Sequence, residues 1–214
     1  MSVLIDLKTG DPADAAARYQ TAGYQLAVDA HASDLIVFEP EGHIYRHRDS
    51  GLIVPGVTSI LRDTGVSVDF DGLSAMGNKL GHAIALKREI GVAVHQAAHF
   101  FDDNDLVLES VDPAVRPYLD CWIAFRENYP QLRPATRERA VYHPALRYAG
   151  TLDGIFVTGD ETDLTITERW SVQLCPDRKV PYRVTPYPDH YGDSATFRAI
   201  VATYYAQHAR RRAA

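Results

Sequence analysis

Val3-Leu4-Ile5-Asp6-Leu7-Lys8-Thr9-Gly10 is the stretch on which the fold turns. A short apolar run stopped by Thr9-Gly10 reads as a buried strand closed by a turn. Residues i and i+2 of a strand share a face, so Asp6 and Lys8 project a carboxylate and an ammonium side by side. Buried charges are costly unless they are paired or bind a metal. A lone D-x-K is most simply a sheet-end ion pair. Lysine is scarce, however: Lys8, Lys79, Lys87 and Lys179 stand against 18 arginines. A lysine on a core strand is therefore less easily dismissed as incidental.

Working outward, Asp11-Pro12 supplies a helix N-cap and a proline at the first helical position of an alanine-rich helix that runs through Ala15 to about Ala30. Gln20 and Tyr24, four residues apart, share a face of that helix. They could reach phosphate, or be a solvated amide and a packed tyrosine. Strands are expected at 36–38, 44–47 and 52–54, then a short helix over 55–62 and a loop over 64–78. A helix is expected over 82–101, with Ile84, Lys87, Gly91, Val94, His95 and Ala98 along one side. Another starts at Asp112-Pro113 and carries Val115, Leu119, Trp122, Phe125 and Tyr129 as its apolar stripe. Strands over 139–143, 148–157, 170–174 and 182–185 and a last helix over 194–210 complete one mixed α/β domain.

Two further residues could carry chemistry. In Tyr148-Ala149-Gly150-Thr151-Leu152-Asp153-Gly154 the alternation places Asp153 on the face opposite Leu152, between glycines that permit close backbone approach. It is either a functional carboxylate or an aspartate at a strand bend. His95, in Gly91-Val92-Ala93-Val94-His95, is either a satisfied core histidine or a metal ligand.

Composition bounds the class. The 214 residues are 46% hydrophobic and 23% charged, which is ordinary for a globular protein and excludes wholesale disorder. The formal charge of −6 alone argues against a protein that coats nucleic acid or anionic membranes. Cys121 and Cys175 are too few for a disulfide framework and match no metal-ligand spacing. The N-terminus meets Asp6 and Lys8 before any long apolar run, and no stretch approaches the ~20 apolar residues of a membrane helix. A soluble, cytoplasmic protein with no membrane partner is the expectation.

Four local patterns agree with one family. Ile5-Asp6-Leu7-Lys8-Thr9-Gly10, Gln20-Thr21-Ala22-Gly23-Tyr24, Gly91-Val92-Ala93-Val94-His95 and Ala149-Gly150-Thr151-Leu152-Asp153 resemble the motifs of PD-(D/E)XK nucleases, in particular the RecB-like and lambda-exonuclease-like branch. The resemblance implies an α/β (α+β) restriction-endonuclease-like core, a central mixed β-sheet flanked by helices. It implies a DNA nuclease dependent on Mg²⁺ or Mn²⁺, an exonuclease of recombination, repair or phage DNA processing. Asp6 and Asp153 would bind the metal, with His95 and the Leu7 carbonyl as further ligands. Lys8 would orient or activate the attacking water and offset transition-state charge. Gln20 and Tyr24 would hold the DNA backbone or buttress Lys8, and Glu138 matches a family acidic position loosely. DNA is the implied partner; a homo-oligomer or a repair partner is left open. The alternative is a nuclease-fold module that binds DNA or protein without cutting.

One feature departs from the family. There the histidine helix comes first, then the strand of Asp153, then the D-x-K strand with its helix. Here the D-x-K strand and its helix, residues 3–30, open the chain, while 34–160 and 163–214 keep family order. The strand–helix unit reads as transposed to the N-terminus, and residues 3–8 are expected to lie beside the Asp153 strand. The charge also divides along the chain: residues 99–112 hold five acids and no lysine or arginine, and 196–214 hold four arginines and no acid. A localised, salt-sensitive nucleic-acid contact is therefore compatible with the net −6.

Overall fold

The computed structural model describes residues 1–10, 14–159 and 165–213, without the side chains at 14, 70, 71 and 211–213. The expected cap at Asp11-Pro12 lies outside these residues, as does most of the 158–163 junction. The chain runs β1 (Ser2–Lys8), α1 (Asp14–Asp29), β2 (Ile36–Glu39), β3 (Ile44–His47), β4 (Ile53–Val54), α2 (Val57–Asp63), α3 (Phe70–Ser74) and α4 (Lys79–Asp102). It continues with α5 (Arg116–Asn128), β5 (Leu132–His143), β6 (Tyr148–Thr158), β7 (Glu168–Leu174), β8 (Tyr182–Pro186) and α6 (His190–Ala213). The class is α+β, with a mixed sheet in the order β5-β6-β1-β7-β8 and a smaller sheet β2-β3-β4.

β1 is the middle strand. It pairs antiparallel with β6 from Ser2↔Val157 to Ile5↔Gly154, and parallel with β7 from Val3↔Glu168 to Lys8↔Gln173. The first strand of the chain thus separates two strands that are neighbours in sequence; residues 3–5 pair with the Asp153 strand, while 6–8 pair with β7 alone. The junction is stitched at its base: Thr158 N–H donates to the Met1 carbonyl and Thr167 N–H to the Ser2 carbonyl.

Helices cover both faces of β1, which is why its sequence is apolar without alternation. On one face Leu4, Leu152 and Ile155 meet Tyr24, Ala27, Ile60 and Phe197 of α1, α2 and α6. On the other, Val3, Ile5, Leu7 and Val172 meet Val94, Ala98, Leu119, Trp122 and Phe125 of α4 and α5. Each such aliphatic side chain contributes about 1.5–3 kcal/mol by burial. One polar knot joins the layers: Arg169 of β7, fully buried, donates to Asp193 of α6 and to the Tyr187 carbonyl, and Arg18 of α1 takes the other Asp193 oxygen.

Several elements differ from the sequence expectation. α3 lies within the segment read as loop. Asp112 does not begin α5 but closes a turn before it, accepting the Ala114 N–H on Oδ1 at 2.7 Å. β5 starts at Leu132, because pairing with the long β6 continues through an irregularity between Pro134 and Thr136. The stripe expected along α4 buries only in its second half, at Val94, Ala97 and Ala98. The first half packs on α3 and leaves Leu80 and Leu86 exposed. Among the described residues no helix is long and apolar enough to cross a membrane.

Candidate active site

The site forms where two strands part. The β1–β6 ladder stops at Ile5↔Gly154, while β1 stays paired with β7 through Lys8. The next backbone donor facing β6, the Leu7 N–H, is taken by Asp153 Oδ2 at 2.7 Å. A side-chain carboxylate replaces a main-chain carbonyl where the two strands part.

Asp6 forms its floor, its side chain 1% exposed, and Lys8 Nζ lies 2.9 Å from Asp6 Oδ1. That contact is ionic rather than a well-aligned hydrogen bond, and both Asp6 oxygens are buried without a hydrogen-bond partner. Burial pushes the Asp6 carboxyl up to about 6; the Lys8 ammonium opposes the rise and the Asp153 charge adds to it. Asp153 is likewise raised, by burial, with Lys8 and the Leu7 N–H working against the shift. Burial acts to lower the Lys8 pKa, but Asp6 and Asp153 more than offset it, so Lys8 remains an ammonium.

Two groups behind Lys8 fix its position. Nζ donates to Gln20 Oε1 at 3.3 Å, and Gln20 Nε2 donates to the Tyr24 hydroxyl at 2.9 Å. Tyr24 is buried, its ring against Gly150, where a Cβ would stand 2.5 Å from Tyr24 Cε1. This corrects one assignment: Tyr24 cannot touch a nucleic-acid backbone from that position, and of its two expected roles it serves the buttressing of Lys8. Gln20 is partly exposed and bonded to both.

From the opposite face α4 brings His95. Its Nδ1 lies 3.6 Å from Asp153 Oδ1. Burial, then the Lys8 charge, lowers its pKa, which favours the neutral ring a metal ligand requires. One turn along α4, His99 Nδ1 sits 3.3 Å from Glu138 Oε1, and the Glu138 charge acts on both His95 and Asp153. Glu138 adopts a left-handed backbone (φ 43°) on β5, unusual for a residue with a side chain. His99 was missed in the sequence, although its spacing of four from His95 placed it on the same helix face.

Residues 6, 8, 95 and 153 therefore meet in one cleft, with Glu138 at its rim. Among the described residues no three His, Cys, Asp or Glu side chains already converge as a ligand cluster. The donors nevertheless suit a hard divalent cation: two carboxylates, one with both oxygens unsatisfied, beside a neutral imidazole. No protein-family model matches the chain, and no curated protein matches it.

Proposed function

We propose that the protein is a Mg²⁺- or Mn²⁺-dependent deoxyribonuclease of PD-(D/E)XK type, built on a restriction-endonuclease-like core and acting as an exonuclease in recombination, repair or phage DNA processing. The observation that carries this reading is the meeting of Asp6, Lys8, His95 and Asp153 at the point where β1 and β6 part. These four residues are spread over most of the chain, and the Asp6 carboxylate among them is buried with only the Lys8 ammonium paired to it.

Asp6 and Asp153 would hold the cation, with His95 beside them. A divalent ion there supplies a water of lowered pKa and neutralises charge that develops on the phosphoryl oxygens. Lys8, already an ammonium, donates to the attacking water or to the anionic phosphoryl oxygens rather than accepting a proton. Gln20 and Tyr24 hold that ammonium in place, so it need not reorganise when charge appears.

A linear duplex incubated with Mg²⁺ or Mn²⁺ should be degraded, and closed-circular DNA spared if the action is exonucleolytic. Lys8→Ala should lower kcat by about 10²–10³-fold, and Asp6→Asn should reduce cleavage to background, both with native circular dichroism. An unchanged rate in Lys8→Ala, or cleavage above background in Asp6→Asn, would overturn the assignment. A second reading, a module that binds without cutting, is favoured by the Lys8–Asp6 ion pair, which offsets the carboxylate charge without a cation. Metal binding without hydrolysis would decide for it.

A further inference from the structure

An open concavity of about 270 Å³ lies between the β5–β6 turn and α6, lined by Leu146, Arg147, Arg198, Val201, Ala202 and Tyr205. Its base is apolar and its two cations are exposed. Elsewhere, Arg18, Arg46, Arg116, Arg126, Arg137 and Arg169 each sit on a carboxylate, whereas, among the described residues, Arg139, Arg178 and Arg210 do not but line no concavity with a second cation. Arg147 and Arg198 have no ion pair or side-chain hydrogen bond among the described residues. The walls are held: the Tyr205 hydroxyl donates to the Arg147 carbonyl, and Arg147 itself sits in a left-handed conformation (φ 52°) that the turn enforces.

Two uncompensated guanidiniums over an apolar base fit a phosphodiester chain. Each planar fork matches phosphate oxygens, the base can receive sugar carbons, and a tyrosine face can stack on a nucleobase. The position fits as well. β6 runs antiparallel to β1, so its first residue, Tyr148, lies at the end of the sheet toward which Lys8 points. At about 3.4 Å per residue, Arg147 is about 20 Å along β6 from Asp153. That is the rise of about six base pairs.

We infer that the Arg147–Arg198 concavity is a second anchor, gripping the phosphate backbone of the polynucleotide whose scissile bond lies in the Asp6–Asp153 cleft. The identity of the ligand rests on the nuclease reading; the concavity and its unpaired cations do not.

The test measures binding of a 20-base-pair duplex by fluorescence anisotropy in EDTA, from 25 to 200 mM NaCl, for wild type and Arg147→Gln/Arg198→Gln. At about 0.9 per neutralised phosphate, losing two contacts should flatten the slope of log K against log salt by about 2. Affinity at 100 mM salt should fall about tenfold or more, and Arg198→Lys alone should keep most of the slope. Hydrolysis of bis(p-nitrophenyl) phosphate with Mn²⁺, too small to span both sites, should be unchanged. Active wild type with an unaltered slope in the double variant would overturn the anchor and leave the nuclease reading standing. A flattened slope in a protein that hydrolyses nothing would support the anchor and defeat that reading instead. Loss of polyglutamate binding in the double variant, with duplex binding unaffected, would overturn the inference in favour of an acidic protein partner.

Discussion

A buried carboxylate with a carboxyl pKa of about 6 makes the Asp6 position sensitive to pH. Its folded value lies above the ordinary 3.8, so the folded chain binds this proton more tightly than the unfolded one. The contribution is fully present below about pH 3.8 and is lost as the pH rises through 6. A difference of about two units corresponds to about 3 kcal/mol at neutral pH. With cations chelated, Asp6→Asn should therefore melt above wild type at pH 7 and converge with it near pH 4. Millimolar Mg²⁺ or Mn²⁺ should raise the wild-type midpoint at pH 7 and leave the asparagine variant unmoved. Equal melting of the two proteins at pH 7 in chelator would show that burial of this charge costs nothing. Gly150 gives a second residue-level expectation. A methyl group there would meet the Tyr24 ring at 2.5 Å, where an aromatic held under a strand has little room to yield. Gly150→Ala should cost about 1–3 kcal/mol in urea denaturation. It should lower activity further, because the displaced Tyr24 releases Gln20 and Lys8.

Among the elements, β7 and α6 depend on a contact that hydropathy hides. Removing Asp193 strands the Arg169 charge in the core, and Asp193→Ala should cost about 3–5 kcal/mol by chemical denaturation. Replacing Arg169 as well, with methionine, should recover much of that loss, which separates an unpaired charge from a packing defect. Sequence patterning treats arginine as a surface residue, and so β7 could be read as a strand but not as the anchor of α6. β1 and the body of α1 were legible because an apolar run, a turn and an alanine-rich helix follow one another locally. The first half of β5 was not: Arg133, Arg137 and Glu138 belong to an edge strand with an irregular register, and it carries no alternation. The pairing of Asp6 with Asp153 came from the family resemblance rather than from periodicity, since no local pattern says which strands adjoin. His99 was open to the simpler argument of helical spacing.

Across the whole molecule, the sheet is held at its centre by the residues nearest the N-terminus. Val3, Leu4 and Ile5 are fully buried and hydrogen-bonded on both sides, so their amides should exchange only through global opening. Native-state hydrogen exchange should place Leu4 and Ile5 among the slowest amides, with α3 and the first turns of α4 among the fastest. Protection at β1 no greater than that of α3 would mean that the sheet opens from its middle. Removing residues 1–8 should abolish folding rather than only activity, since β6 and β7 would face each other across an empty strand position; far-ultraviolet circular dichroism reads this directly.

The central placement of β1 also orders events in time. The strand leaves the ribosome well before its two neighbours, which begin at residues 148 and 168. At about 5–20 residues per second, on the order of 10–30 s of translation separates the strand from its partners. Throughout that interval an apolar segment has no edge to join, and Asp6 has no Asp153 beside it. A chain cut short during synthesis would therefore carry Asp6 and Lys8 without Asp153 beside them, and its apolar strand would depend on a holding chaperone or on its own α1 for shelter.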